Sequence, residues 1–192
     1  MRDQIRPAVV LLLMLTVLTG LVYPLAITGI AQLIWPRSAH GSLIKRQALI
    51  VGSGLIGQSF TGPGYFHSRP SAAGAGYDAA SSSGTNLGPT SKALLTAIRE
   101  RVAAARVGSS DRPVPADLVT SSGSGLDPDL SPAAMEWQVD RVARERGVSA
   151  NSIRQLAATH VQTRQLGFLG APRVNVLLLN LDLDQKFPRP AK

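Results

Sequence analysis

Apolar and polar positions change rhythm several times along this chain, and the first rhythm is none at all. From Ala8 to Ile34 the sequence AVVLLLMLTVLTGLVYPLAITGIAQLI carries no charge. That is more than the roughly 20 helical residues that cross a hydrocarbon core of about 30 Å, so the run predicts a transmembrane helix. A cleaved signal peptide is the rival reading. Its apolar region would cover only about 7 to 15 residues and end at a small-x-small site, whereas here the apolar character continues past Tyr23-Pro24 to Trp35-Pro36. Pro24, lacking an N–H, should loosen the helix near its middle. Trp35 suits a membrane interface, and Thr19, Gly20 and Thr28 leave room for another helix to pack closely.

Beyond the anchor, residues 47–57 are apolar enough for a short strand, and a weaker extended piece is expected from Tyr65 to Arg69, bounded by Pro70. Between Gly57 and Thr90 neither a period of 3.6 nor one of 2 persists. This long Gly/Ser-rich connection could be a disordered linker, but it holds Phe60, Tyr65, Phe66 and Tyr77, four of the nine aromatic residues. Aromatic side chains need apolar surroundings, so an ordered, irregular layer is favoured, with a partner as a further source of order. Thr90 can cap a helix carrying Leu94, Ile98 and Val102 on one face and ending at Gly108. Ser131-Pro132 starts a second, with Met135, Val139 and Val142 inward and Gly147 as its stop. Ser149 caps a third, close enough in sequence to form a helical hairpin with the second. Val174, Val176 and Leu178 alternate with Leu177, Leu179, Leu181 and Leu183, which reads as a central strand over Arg173–Leu183 buried on both faces. Turn signals at Gly167, Gly170 and Pro172 precede it. The expected fold is α+β: a single N-terminal transmembrane helix followed by one small mixed α/β soluble domain with a long irregular Gly/Ser-rich segment. In residues, this is a tail over 1–7, an anchor over 8–35, a juxtamembrane linker over 36–46 and a soluble domain over 47–192.

Composition changes this picture little. The net charge of +8 could serve nucleic acid, anionic lipid or an acidic partner. The arginines are scattered, however, without a basic block or interleaved aromatics, so solvated helix faces account for most of them and nucleic-acid binding is not expected. The chain contains no cysteine, which excludes a disulfide scaffold or a thiolate metal site. Charge on the two sides of the anchor leaves its orientation open.

One motif does suggest chemistry. ALIVGSGLIGQSF places Gly52, Gly54 and Gly57 in the G-x-G-x-x-G pattern of a dinucleotide site. Such a site needs a helix starting within the glycines to hold the pyrophosphate, and only Gln58-Ser59-Phe60 precede Thr61-Gly62-Pro63-Gly64. A membrane-anchored nucleotide-binding oxidoreductase therefore stands as an alternative without its main element, and a cell-envelope scaffold module as another. There is no P-loop and no G-x-S-x-G elbow. His40, His67 and His160 lack metal-ligand spacing. Asp127 and Asp129 fit a turn leading into the Ser131 cap better than a cation loop. The residues point to a protein that is not an enzyme, with no catalytic residues and no metal site.

Several segments in order identify a family. TGLVYPLAITGIAQ, GSLI at Gly41–Ile44, GSGLIGQSFTGPGYFHSRPSAAGAGYD, SSSGTNLGPTSKAL, PVPADLVTSSGSGLDPDLSPAAMEWQVDRVARERG and LGFLGAPRVNVLLLNLDLD resemble the KdpC subunits of bacterial Kdp potassium-transporting ATPases. The resemblance implies a single-pass inner-membrane subunit, in the lipid bilayer, with its soluble domain outside the cytoplasm. It implies three partners: a channel-like potassium-binding subunit (KdpA-like), a P-type ATPase subunit (KdpB-like) and a small membrane subunit (KdpF-like). ATP and potassium would be handled by the complex and no cofactor bound tightly by this chain. Its role would be to stabilise assembly, with a chaperone-like effect on the ATP affinity of the ATPase subunit. On this reading Gln58, Phe60, Tyr65, Phe66, His67, Arg69, Asn86 and Leu87 form a surface that docks on the channel-like subunit. Ser83, Gly84 and Asn86 are the candidate nucleotide contacts. The run Ser82-Ser83-Gly84-Thr85-Asn86 departs from the Ser-Gly-Gly-Ser-Asn or Ser-Gly-Ser-Asn of many relatives, which weakens that last assignment.

Overall fold

The structure is a computed structural model describing residues 2–106 and 112–188. The chain divides into two compact units, one ending at Val51 and one beginning at Gly52.

The first unit is dominated by a continuous helix over Ile5–Ile34, with none of its constituent segments burying a side chain. At about 1.5 Å per residue its 30 residues are long enough to cross a bilayer. It consists of α1 (Ile5–Val17), a π turn over Leu18–Val22, and α2 (Tyr23–Ile34). The π turn sits immediately before Pro24, where sequence reasoning places a loosening. Proline offers no N–H and its ring crowds the carbonyl four residues back; the widened turn accommodates this, with the Tyr23 N–H donating five residues back to the Leu18 carbonyl. The Thr19 hydroxyl donates to the Leu15 carbonyl at 2.7 Å, so this polar group is satisfied within the helix. The helix stops at Trp35, which leaves the helical region (φ −129°, ψ 59°) immediately before Pro36.

A short helix α3 (Pro36–Ala39) leads into the hairpin of β1 (Leu43–Arg46) and β2 (Leu49–Ser53). Its two turn residues, Gln47 and Ala48, have φ of 50° and 66°, as a primed turn demands. Neither is the Gly or Asn that normally signals such a turn. That explains why 43–46 carries no strand signal in the sequence.

In the second unit, helices α5 (Pro132–Arg146) and α6 (Ala150–Thr159) form the expected hairpin. The Ser131 side chain accepts from the Ala134 N–H, Ser149 accepts from Ser152, and Gly147 takes the left-handed conformation at φ 67°. Helix α4 (Lys92–Arg106) is capped by Ser91 rather than Thr90, the Ser91 hydroxyl accepting from the Leu94 N–H at 3.4 Å. The stop expected at Gly108 lies outside the described residues.

The Arg173–Leu183 expectation needs correction. Only β5 (Arg173–Asn175) is a strand; at Asn175 the backbone turns into α7 (Val176–Lys186), with the Asn175 side chain accepting from the Leu178 N–H at 3.1 Å. Val176, Leu179, Asn180 and Leu183 are buried at helical spacing. An apolar run such as VLLLNL satisfies a two-residue and a 3.6-residue period alike, and the N-cap asparagine decides for the helix. The short β5 is nevertheless central, between β3 (Asp129–Leu130) and β4 (Val161–Gln162) in an antiparallel sheet, with Leu130 and Val161 both opposite Val174. The remainder after the helix is thus mixed α/β. Its core joins α5, α6, β5 and α7 through Val139, Val142, Ile153, Val174, Leu179 and Leu183, and one loop residue, Phe66, enters it fully buried.

Candidate functional site

Between Ser53 and Lys92 the described backbone forms a single short helical turn, Ala79–Ser81. Irregular backbone that is buried must still find partners for its N–H and C=O groups. Here side chains of the helices supply them. Asn180 accepts from the Phe66 N–H at 2.9 Å and donates to the Phe66 carbonyl at 2.8 Å. Gln138 treats His67 the same way, at 2.8 Å and 3.1 Å. Each amide reproduces the paired bonds that a neighbouring strand would make. Arg146 donates to the Gly64 carbonyl at 2.8 Å, and Arg141 donates to the carbonyls of Pro63 and Tyr65.

Most of the residues expected to dock a partner are placed by these bonds against their own domain. Phe66 has no exposed surface, which removes its ring from any docking face. Phe60 and Tyr65 are half-buried against the core, their ring centroids 5.6 Å apart. The Tyr65 hydroxyl donates to Asp184 at 2.9 Å, and the Arg146 guanidinium lies 4.9 Å from the Tyr65 ring centre while pairing with Asp184 at 2.8 Å. The Gln58 carbonyl accepts from the Ser68 hydroxyl at 3.1 Å. His67 Nε2 lies 3.1 Å from the Gly62 carbonyl; burial, seconded by the Arg141 charge, pulls the His67 pKa below its ordinary value, with the Gly62 bond opposing. Arg69 pairs with Asp127 at 2.9 Å, and Tyr77 donates to the Arg69 carbonyl at 2.6 Å. Only Asn86 and Leu87 lie on the exposed surface, Asn86 with a left-handed φ of 52°. The structure thus brings Gln58 to Arg69 together as one internally bonded layer and leaves Asn86 and Leu87 as a separate exposed pair.

The candidate nucleotide contacts are also engaged internally. Ser83 donates its N–H to the Ser124 carbonyl at 3.0 Å, and its hydroxyl donates to the Gly84 carbonyl. A side chain at Gly84 would meet the Gly123 carbonyl oxygen at 2.8 Å, so glycine is present there for close backbone packing. The G-x-G-x-x-G motif has the same explanation. The Gly57 N–H donates to the Leu126 carbonyl at 2.7 Å, and a Cβ at Gly57 would lie 2.6 Å from the Asp127 carbonyl oxygen. The segment that follows is not helical, so the element that would hold a pyrophosphate is missing. Among the described residues no cluster of three or more His, Asp or Glu side chains could hold a metal ion.

Two features escape sequence reasoning. The first is the exposed apolar face of the turn over Arg164–Gly170, a turn that Gly167 and Gly170 do signal and that is closed by reciprocal bonds of 2.9 Å between the backbones of Gln165 and Leu169. It presents Leu166 (82% exposed), Phe168 (68%) and Leu169 to solvent, with Leu166 at a left-handed φ of 52°. Apolar residues inside QLGFLG, between turn-forming glycines, are the available signal. The second is a cavity of about 540 Å³ between α4 and α5, lined by arginines from separate parts of the sequence, for which no local motif exists.

Comparison with known proteins now adds identity. The family model described as "KdpC: K+-transporting ATPase, c chain" matches residues 5–185. A potassium-transporting ATPase KdpC subunit of Koribacter versatilis is 53% identical over 190 residues, covering 99% of this chain and 98% of the relative. Those of Methylorubrum extorquens and Gemmatimonas aurantiaca are 54% and 56% identical, over 95% and 96% of this chain and 97% and 94% of their own lengths.

Proposed function

This chain belongs to the KdpC family, the c chain of K+-transporting ATPases, and on that premise we propose that it is a non-catalytic subunit that stabilises assembly of the complex. The Ile5–Ile34 helix anchors it in the plasma membrane, and its domain on the extracytoplasmic side docks on a channel-like potassium-binding subunit. The P-type ATPase subunit hydrolyses ATP, and a small membrane subunit completes the set.

One observation carries the docking role: the apolar turn at Leu166, Phe168 and Leu169. A soluble surface seldom exposes three large apolar side chains in one short turn without a partner for them. The turn is closed by its own backbone bonds, so little ordering entropy is lost on binding. Leu87 is a further exposed apolar side chain of the same domain. The anchor also contributes: Gly20, Thr19 and Thr28 favour close helix contact within the membrane. A rise in the ATP affinity of the ATPase subunit follows from the assembled state and needs no contact from Ser83, Gly84 or Asn86, two of which are bonded or packed internally.

Mild-detergent purification of the intact complex tests this. Leu166→Ser with Phe168→Ser should reduce recovery of the other subunits with this chain and lower potassium-stimulated ATPase activity. Undiminished recovery and activity would refute the docking role.

A further inference from the structure

The β1–β2 hairpin exposes more apolar surface than a two-stranded sheet in water sustains. Leu49 is 70% exposed, Ile50 53% and Leu43 43%, and among the described residues no third strand joins the sheet. A hairpin without a covering layer is marginal in water. This one also carries left-handed φ values at Ser42, Gln47 and Ala48, none of them glycine. Its stability therefore calls for a surface outside the described chain.

The position of the hairpin along the chain says which surface. It belongs to the same compact unit as the Ile5–Ile34 helix. The residues between them are no slack tether: Ala39 donates its N–H to the Trp35 carbonyl at 2.9 Å, and His40 and Ser42 donate to those of Pro36 and Arg37 at 3.0 Å. Arg37 follows Ile34 by three residues, at most about 11 Å of chain, so the Ser42 bond starts β1 close to the helix end. Polar headgroups occupy roughly 5–7 Å on each side of the hydrocarbon core. With Ile34 ending the span, the hairpin begins at that layer, after an exposed tryptophan, Trp35, of the residue type that collects there.

The chemistry agrees. Between Asp3 and Asp78 the chain has no acidic residue. Arg37, Lys45 and Arg46 are exposed, and among the described residues none of them pairs with a carboxylate. Strand alternation puts Leu43 and Lys45 on one face of β1 and Ile44 and Arg46 on the other, so both faces mix apolar and cationic groups. Packing against a protein core calls for one apolar face. A headgroup layer accepts the mixture, because apolar side chains and the stems of Lys and Arg lie at the acyl boundary while the cationic ends reach phosphate oxygens.

We propose that the β1–β2 hairpin lies on the bilayer surface and binds anionic phospholipid headgroups through Arg37, Lys45 and Arg46, with Leu43, Leu49 and Ile50 at the apolar boundary. The assignment rests on the membrane reading of Ile5–Ile34 above. It gives the subunit a second hold on the membrane beside its anchor.

The full chain contains no cysteine, so Leu49→Cys carries a single fluorophore. In phosphatidylcholine vesicles with about one third phosphatidylglycerol, a headgroup spin-labelled lipid should quench it much more than in phosphatidylcholine alone. Each basic residue near an anionic surface is worth about a fivefold gain in association. Arg37→Gln with Lys45→Gln and Arg46→Gln should therefore return quenching to the phosphatidylcholine level, as should high salt. Lys92→Gln with Arg99→Gln and Arg106→Gln removes the same charge from exposed positions of α4 and should leave quenching unchanged. Unchanged thermal unfolding of the hairpin variant separates lost binding from lost folding, and the lipid and salt comparisons need no substitution beyond Leu49→Cys. Quenching that ignores lipid charge, in a chain still integral to the vesicles, would overturn the proposal and leave the membrane reading intact. If, in addition, the hairpin substitutions strip the other subunits from the detergent-purified complex, a protein partner takes the place of lipid. Release of the unmodified chain from vesicles at alkaline pH would overturn the membrane reading as well.

Discussion

The aromatic layer around Phe66 and the turn around Phe168 make opposite use of the same residue type. Phe66 is wholly buried in its own core, with the backbone around it held by side chains of α5 and α7. Phe168 sits in a turn closed only on itself, and most of its surface faces outward. An aromatic in irregular backbone is therefore no guide to docking by itself. What separates the two is whether polar side chains from the core reach the loop backbone. Where Asn180, Gln138 and Arg146 do so, desolvating the loop costs no backbone hydrogen bonds and the aromatic can go inward. Among the described residues no such side chain holds the backbone of the Arg164–Gly170 turn, which is closed by its own backbone bonds.

The contrast can be broken from the buried side first. Phe66→Ala in the full chain should cost about 3–5 kcal/mol through lost burial and the cavity left behind, seen as a large drop in thermal midpoint. Asn180→Leu should cost about 2–4 kcal/mol, because it strands the N–H and C=O of Phe66 without partners in a buried place. Proteolysis within residues 57–70 should accelerate in both variants, as the layer detaches. If Asn180→Leu leaves midpoint and proteolysis unchanged, the amide clamp is not what holds the loop.

A smaller effect comes from pH. His67 has a folded-state pKa below its unfolded value, so the unfolded chain takes up the proton more readily as pH falls. The stability that neutral His67 contributes is present above about pH 6.5 and is lost as pH drops through the folded pKa. Thermal midpoints should decline from pH 7 to 5, and His67→Gln should flatten that decline. Equal slopes for the two proteins would refute the assignment.

On the exposed side the stability effect should be smallest. Leu166→Ser with Phe168→Ser should change folding stability by no more than about 0.5 kcal/mol, since little burial is lost. A large drop in the midpoint would show that the turn serves its own fold, and the comparison between the two regions would collapse.

Local features of this protein were legible in the amino-acid order. The uncharged Ala8–Ile34 run, the loosening before Pro24, the Ser131 and Ser149 caps and the Gly147 stop all follow from groups within a helical turn or two of one another. The family, too, is written in ordered motifs along the chain. Other features depended on groups distant in sequence. The Val176–Lys186 run could have been strand or helix by its spacing, and the folded chain uses it as a helix that brings Asn180 to Phe66, 114 positions away. The candidate docking residues Tyr65 and Phe66 turned inward for the same reason, and the arginine cavity exists only because α4 and α5 come together. Steric and capping preferences act between neighbours and can be read from the order of residues. Burial, the pairing of a loop's backbone and the summed field of separated charges are properties of the packed chain, so tertiary structure alone decided them.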